Sequence, residues 1–191
     1  MQTEPIRNKK HVREMADYYL KRGKLRNYLL IIMGIYTGLR ISDLLRLTKS
    51  DVYDFTSHQF RTHIRLTEHK TGKQKTIAIN KKLLSALQLF DFASKNSDDF
   101  LFQSKRKKCA PIGRTQAWRI IKEAAKAIDV SGCISCHSLR KTFGYHAWKA
   151  GVAAVLLMDI FNHSSFEVTR RYLGIAQDDR DKVYLSLDLL W

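Results

Sequence analysis

The sequence predicts a mainly α-helical domain with a small antiparallel β-sheet insertion, an α+β chain whose helices supply most of the core. Three observations lead there. Apolar residues recur at three- and four-residue spacing through most of the chain. The period falls to two only at Phe60–Leu66 and Lys75–Ile79. Two prolines and nine glycines interrupt 191 residues, and 45% hydrophobic content is enough for one well-cored domain rather than a disordered chain.

In chain order, Glu4–Pro5 reads as a helix start, with proline in the first turn. Val12, Met15, Ala16 and Tyr19 form an amphipathic stripe, and Gly23 ends that helix. Lys24–Thr37 is a second, largely buried helix closed by Gly38, and Ile41–Leu47 a short third. Phe60–Leu66 and Lys75–Ile79 then form a hairpin turning at Thr71–Gly72. Lys81–Lys95 is helical, Asp98–Gln103 a short extended piece and Ser104–Pro111 a basic loop. Gly113–Asp129 is an amphipathic helix with Trp118, Ile121, Ala125 and Ile128 on one side. Ser138–Ala150, Ala153–Phe161, Phe166–Tyr172 and Asp178–Leu185 follow, then an apolar tail, Leu187–Trp191.

Charge narrows the function. Lys and Arg outnumber Asp and Glu by 34 to 18, a net +16. Such an excess repels itself in a compact fold and points to a polyanionic partner. There is no low-complexity basic tail. Met1–His11 is polar and carries no signal peptide. The apolar run Tyr28–Tyr36 is too short to span a bilayer, so no membrane role is expected. Three cysteines in no framework spacing fit a reducing cytoplasm.

The densest chemistry lies in Cys136–Ile175: His137 and Arg140, three residues apart, then His163 and Tyr172. On a helix, His137 and Arg140 share a face and can point at one anion. Arg40, wedged between Leu39 and Ile41, offers a planar fork suited to phosphate. Its ordinary alternative is a salt bridge to Asp43. Lys70, at the hairpin tip, is either a solvated turn residue or a proton donor to a leaving alkoxide. A tyrosine attacking at neutral pH must shed its proton, since its reference pKa is about 10, and so needs a base and cations nearby. Cys133-Ile134-Ser135-Cys136-His137 matches the C-x-x-C-H haem-attachment signature, but no export signal accompanies it, and a zinc site there lacks a placed fourth ligand. The match is read as coincidence.

Taken together and in this order, the set resembles the catalytic domain of the tyrosine recombinase (phage integrase) family. The first family box, T-G-x-R-x-x-[DE]-L, is met by Thr37 to Leu44. The family's hairpin lysine is matched by Lys70 in KTGK, and the second box by HSLRKT, holding His137 and Arg140. The third runs from Phe161 through His163 to Tyr172, nine residues after that histidine. Phe161-Asn162 stands where Leu-Gly is usual, and Gly144 where Ala is common. The resemblance covers roughly residues 9–177, leaving 178–191 as a tail.

Members of that family usually carry an amino-terminal core-binding domain; here the catalytic pattern already begins by Arg40, so a single catalytic domain over residues 1–191 without one is expected, either a naturally short recombinase of the inversion type or an excised catalytic domain. The resemblance implies that Tyr172 attacks duplex DNA to form a 3′-phosphotyrosyl link, with Arg40 and Arg140 clamping the phosphate. Lys70 would protonate the leaving 5′-oxygen, His137 assist proton transfer at Tyr172, His163 hydrogen-bond the phosphate and Asp43 orient Arg40. Neither metal nor ATP is called for. Implied partners are double-stranded DNA, further copies of the chain in a tetrameric synapse that the apolar tail helps join, and accessory DNA-bending proteins. The implied location is the cytoplasm, at the nucleoid. The rivals are a type IB topoisomerase, which relaxes supercoils by the same chemistry, and a basic DNA-binding protein without activity.

Overall fold

The computed structural model describes residues 3–92, 97–107, 109–173, 175, 181 and 184–187. The first helices are α1 (Lys9–Leu20), α2 (Leu25–Thr37) and α3 (Ile41–Leu45). A 3-10 turn, Lys49–Asp51, leads into four short strands: β1 (Tyr53–Asp54), β2 (Gln59–Phe60), β3 (His63–Thr67) and β4 (Gln74–Ala78). The helices α4 (Lys81–Leu87), α5 (Arg114–Ala127), α6 (Cys136–Lys149), α7 (Ala154–Ile160) and α8 (Phe166–Leu173) complete the described fold. The expected α+β architecture is present, though the β portion is two antiparallel ribbons, β1–β2 and β3–β4, rather than one hairpin.

Local chemistry explains several boundaries. The Asn8 side chain accepts from the Lys10 N–H, so α1 starts at Lys9 rather than at Pro5. The preceding segment packs across α6 instead: Ile6 is buried, and its N–H donates to Thr142 Oγ1 at 2.8 Å. The extended run Phe60–Leu66 is broken at Arg61 and Thr62. Phe60 pairs with Tyr53 and joins an aromatic cluster with Phe92, while His63 onward pairs with β4. On α5, Trp118 faces solvent at 44% exposed, and the core face is Ala117, Ile120, Ile121, Ala124 and Ala125. α4 ends at Leu87, short of the expected Lys95. Most of the expected closing helix and tail lies outside the described residues.

Two apolar clusters organise the described residues. The main core joins α1–α5, β3 and Leu139 of α6. α2 and α6 cross closely, for a Cβ on Gly34 would come within 2.5 Å of Leu139 Cδ1. A small second cluster of Leu157, Phe161 and Leu173 ties α7 and α8 to the outer face of α6, with Phe143 and Tyr172 against it. Arg40, His137, Arg140, His163 and Tyr172 gather along the seam between the two clusters. Among the described residues no helix is long and apolar enough to cross a membrane.

Candidate active site

Gly38 closes α2 in the left-handed conformation, φ 58°, where glycine pays no Cβ penalty. That reversal sets Arg40 in extended backbone at the start of α3. The Arg40 side chain is 18% exposed. Its Nη1 donates to Glu68 Oε2 at 2.8 Å, and its Nη2 reaches the Phe161 carbonyl at 3.5 Å. The expected partner, Asp43, is engaged elsewhere. Asp43 Oδ1 accepts the backbone N–H of His69 at 3.0 Å, so it holds the β3–β4 turn rather than orienting Arg40.

Arg140 occupies the second turn of α6 and is buried, 1% exposed. Nη1 donates to the Gly38 carbonyl at 2.6 Å and Nη2 to the Phe161 carbonyl at 2.8 Å, so one guanidinium bridges the end of α2 and the end of α7. Its Nε is buried and makes no hydrogen bond among the described residues. Burial, with Arg40 adding, lowers its pKa to about 10, which leaves it charged at neutral pH. The guanidinium also lies 4.6 Å from the Phe161 ring centre and 5.9 Å from that of Tyr172.

His137 lies in the first turn of α6, cut in by a Ser135–Ser138 capping box. Its ring faces solvent on one side and lies 6.4 Å from the Tyr172 ring. Packing on the other side lowers its pKa, and Arg140 and Lys141 add to the shift. His163 follows Asn162, whose φ of 49° turns the chain out of α7. The His163 ring meets Tyr172 edge-on at 4.6 Å, and its Nδ1 is 3.0 Å from Thr169 Oγ1, which leaves Nε2 for a ligand. Burial, then Arg140 and Arg40, lowers its pKa to about 4, so it is neutral at physiological pH. Tyr172 itself, on α8, is half-buried, with Lys141 Nζ 5.5 Å from its ring.

The fold therefore brings Arg40, Arg140, His137, His163 and Tyr172 into one neighbourhood. Lys70 is not drawn in. It sits exposed at the turn, with no hydrogen bond, ion pair or cation–π contact to that group among the described residues.

Two residues beside the site were not singled out from sequence. Lys75 is opposite Leu66 in the β3–β4 register, its side chain only 10% exposed. Its Nζ donates to the Ile160 carbonyl at 2.6 Å and lies 3.8 Å from Glu68 Oε1. Burial, then Arg140, lowers its pKa to about 8, against the pull of Glu68. Glu68 is fully buried. Its Oε2 accepts from Arg40 Nη1, Thr71 Oγ1 and Asn162 Nδ2. Burial pushes its carboxyl pKa up, but the bonds from Asn162, Thr71 and Arg40 outweigh it and hold the group below its usual range. Strand alternation carried the signal for both. Glu68 is in phase with Ile64 and Leu66, and Lys75 with Ile77 and Ile79, on the covered face.

Among the described residues no group of three or more His, Cys, Asp and Glu is arranged to hold a metal ion, the C-x-x-C-H side chains included.

Comparison with known proteins decides the family. Residues 8–178 match the model described as phage integrase family. The chain belongs to that family. It is 39% identical over 181 residues to the probable integrase/recombinase YoeC of Bacillus subtilis (strain 168), covering 95% of this chain and 94% of that one. It is 27% identical over 160 residues to tyrosine recombinase XerA of Pyrococcus furiosus, covering 82% of this chain and 53% of that protein. Among solved structures, XerA recombinase superposes with a TM-score of 0.74 at 20% identity, over all of this chain and 68% of that one. The XerH recombinase bound to palindromic difH substrate, in its post-cleavage complex, gives 0.71 at 16% identity, over 97% and 53%. These likenesses establish a tyrosine recombinase catalytic-domain fold. The chain spans nearly all of YoeC but about half of the XerA sequence.

As a phage integrase family chain, it departs from the pattern at positions that answer one another. Phe161 replaces the usual leucine, and Gly144 the common alanine: a Cβ on Gly144 would meet the Phe161 ring at 2.8 Å. Asn162 replaces the usual glycine at a positive φ that asparagine tolerates, and its amide donates to Glu68.

Proposed function

We propose that this chain is a site-specific DNA recombinase that cuts and rejoins duplex DNA through a 3′-phosphotyrosine intermediate. The observation that carries it is the grouping of one tyrosine with two histidines and a buried guanidinium: Tyr172 with His163, His137 and Arg140. The Tyr172 hydroxyl attacks the scissile phosphorus. The P–O bond to the 5′-oxygen breaks, the phosphoryl passes to tyrosine, and the departing oxygen leaves as a 5′-hydroxyl. Arg40 and Arg140 stabilise the charge that builds on the non-bridging oxygens. His163, held neutral, donates a hydrogen bond to one of those oxygens, and His137 assists removal of the Tyr172 proton. Lys70 protonates the leaving oxygen, which requires its turn to close on bound DNA. Attack by the freed hydroxyl on the phosphotyrosine reverses the step, so no external energy source is needed.

Double-stranded DNA is the partner that both the +16 charge and the family support. Several copies are proposed to act together as a tetrameric synapse at the nucleoid, with DNA-bending proteins as accessories. The exposed Leu187, 61% accessible at the start of the apolar tail, supports association through the carboxyl-terminal end. If a chain ending at Leu185 assembles on DNA as fully as the whole chain, that role for the tail is wrong.

The test of the chemistry is covalent trapping. A duplex selected by binding from a randomised pool is nicked beside the cut position, so that the released fragment diffuses away. The whole chain should accumulate a protein–DNA adduct that resists denaturant, and Tyr172→Phe should bind the same duplex without forming it. Absence of adduct from the wild-type chain on its selected sites would leave a DNA-binding protein without this activity.

A further inference from the structure

The candidate catalytic groups come from two parts of the chain that share little packing: the β3–β4 hairpin with Lys70, and the α6–α8 unit with Arg140, His163 and Tyr172. One fully buried carboxylate joins them. Glu68 Oε2 takes Arg40 Nη1 at 2.8 Å, Thr71 Oγ1 at 2.9 Å and Asn162 Nδ2 at 2.9 Å. Each donor leads to a different element of the site. Arg40 is one arm of the phosphate clamp. Thr71 is the residue after Lys70, inside the turn. Asn162 immediately precedes His163. The backbone of Glu68 also frames the turn, its N–H donating to the Lys73 carbonyl and its own carbonyl accepting from Gly72 N–H.

A surface carboxylate pairing with an arginine is commonplace and worth little. Glu68 differs because it is 0% exposed, because its partners lie 28 and 94 residues away, and because Lys75 approaches its second oxygen. A buried charge held by several donors resists displacement, since moving it strands those donors without water to replace it. The Asn162 arm exists only because this chain has a side chain where the family pattern has glycine.

On this geometry, and resting on the recombinase reading above, we propose that Glu68 is a positioning residue for the cleavage step. It sets the direction of the Arg40 fork, anchors the turn that delivers Lys70, and through Asn162 keeps the turn in register with His163. It acts through these residues and does not touch DNA itself. The effect of losing it falls on the rate of cleavage and not on the affinity for DNA, because the phosphate contacts that govern affinity are many and spread over the surface.

The experiment uses the selected nicked duplex in two forms: one with the ordinary phosphodiester, and one with sulfur in place of the bridging 5′-oxygen. A thiolate leaves without being protonated, so the sulfur-bridged strand needs no proton donor. Lys70→Ala provides the reference for a pure loss of that donor. Glu68→Gln keeps size and removes charge; Asn162→Gly removes one arm at a backbone angle glycine adopts freely. Single-turnover cleavage by Glu68→Gln should fall on the order of 10- to 100-fold on the ordinary duplex, with Kd within about threefold of wild type. The sulfur-bridged duplex should recover part of that loss: the share that runs through Lys70, but not the share that runs through Arg40. Asn162→Gly should show a smaller loss with the same partial recovery. Wild-type cleavage by Glu68→Gln overturns the proposal, as do equal losses on the two duplexes, for Lys70 is then unaffected. A loss of binding and melting temperature that accounts for the whole rate change overturns it too. If the wild-type chain forms no adduct on either duplex, the recombinase reading itself falls and takes the proposal with it.

Discussion

Gly144 and Phe161 fit one another: a β-carbon on Gly144 would lie 2.8 Å from Cε2 and 2.9 Å from Cζ of the Phe161 ring. The ring is fully buried, packs edge-on against Phe143, and lies under the Arg140 guanidinium. A shift of the ring would move against the Arg140 guanidinium. Gly144→Ala should therefore destabilise the chain by about 1–3 kcal/mol despite its higher helix propensity. Phe161→Leu in the same chain should return part of that loss, since leucine is smaller at the point of collision. Chemical denaturation of the two single variants and the double variant gives the coupling directly. Additive effects would show that the two positions do not compensate.

Two of the hairpin's three lysines, Lys70 and Lys75, differ in kind as candidates for the proton donor. Lys70 is solvated at the tip, whereas Lys75 is buried with its ammonium on the Ile160 carbonyl. If Lys70 protonates the leaving oxygen, Lys70→Ala should cleave an ordinary duplex on the order of 100-fold slower than wild type and a sulfur-bridged duplex at nearly the wild-type rate. Lys75→Ala should slow both duplexes alike, because it loosens the end of α7 rather than removing a proton donor. Recovery by the sulfur-bridged duplex in Lys75→Ala alone would reverse the two roles.

His163 gives the fold an acid-sensitive limb. Its pKa is about 4 in the folded chain, with burial the leading cause, against an unfolded value near 6.5. Between those values the unfolded chain binds the proton and the folded chain does not. The stability contributed by neutral His163 is thus complete above about pH 6.5 and is lost as pH falls toward 4. His163→Gln should flatten the melting temperature across that window relative to wild type, while leaving the profile between pH 7 and 8 parallel. An unchanged slope in the variant would mean that the imidazole is accessible to protons in the folded state.

Binding should be governed by salt before sequence. With 34 Lys and Arg against 18 Asp and Glu, the chain can neutralise several phosphates along a duplex. Contacts to 6–10 phosphates would lower affinity by about 10³–10⁵ between 50 and 200 mM salt. Titrations of the selected duplex and of an unrelated one should give similar log–log slopes, with the selected duplex offset to tighter binding. A slope near zero would rule out a phosphate-dominated interface.

Most of the helices and the order of the family boxes were legible in the chain itself. α2 and α8 announce themselves by apolar spacing and, for α2, by the local stop at Gly38, whereas the Ser135 cap that starts α6 ahead of the expected Ser138 is seen only in the structure. Less legible were the breaks. The run Phe60–Leu66 looks continuous, but Phe60 leaves the β3–β4 ladder for the aromatic cluster with Tyr53 and Phe92. Trp118 has the spacing of a core residue on α5 and faces solvent instead.

By itself the sequence determined the family boxes and, within them, the side chains proposed for the chemistry: Arg40, Lys70, His137, Arg140, His163 and Tyr172. Only the tertiary structure decided how they are held. It buried Arg140 on the carbonyls of Gly38 and Phe161, gave Arg40 to Glu68 instead of the nearby Asp43, left Lys70 outside the group, and set Lys75 against the end of α7. The reason is physical. Residue type and local spacing are written along the chain, but a buried charge takes whichever partner the packing of distant elements brings within hydrogen-bonding reach, and for Glu68 that includes an asparagine 94 residues away.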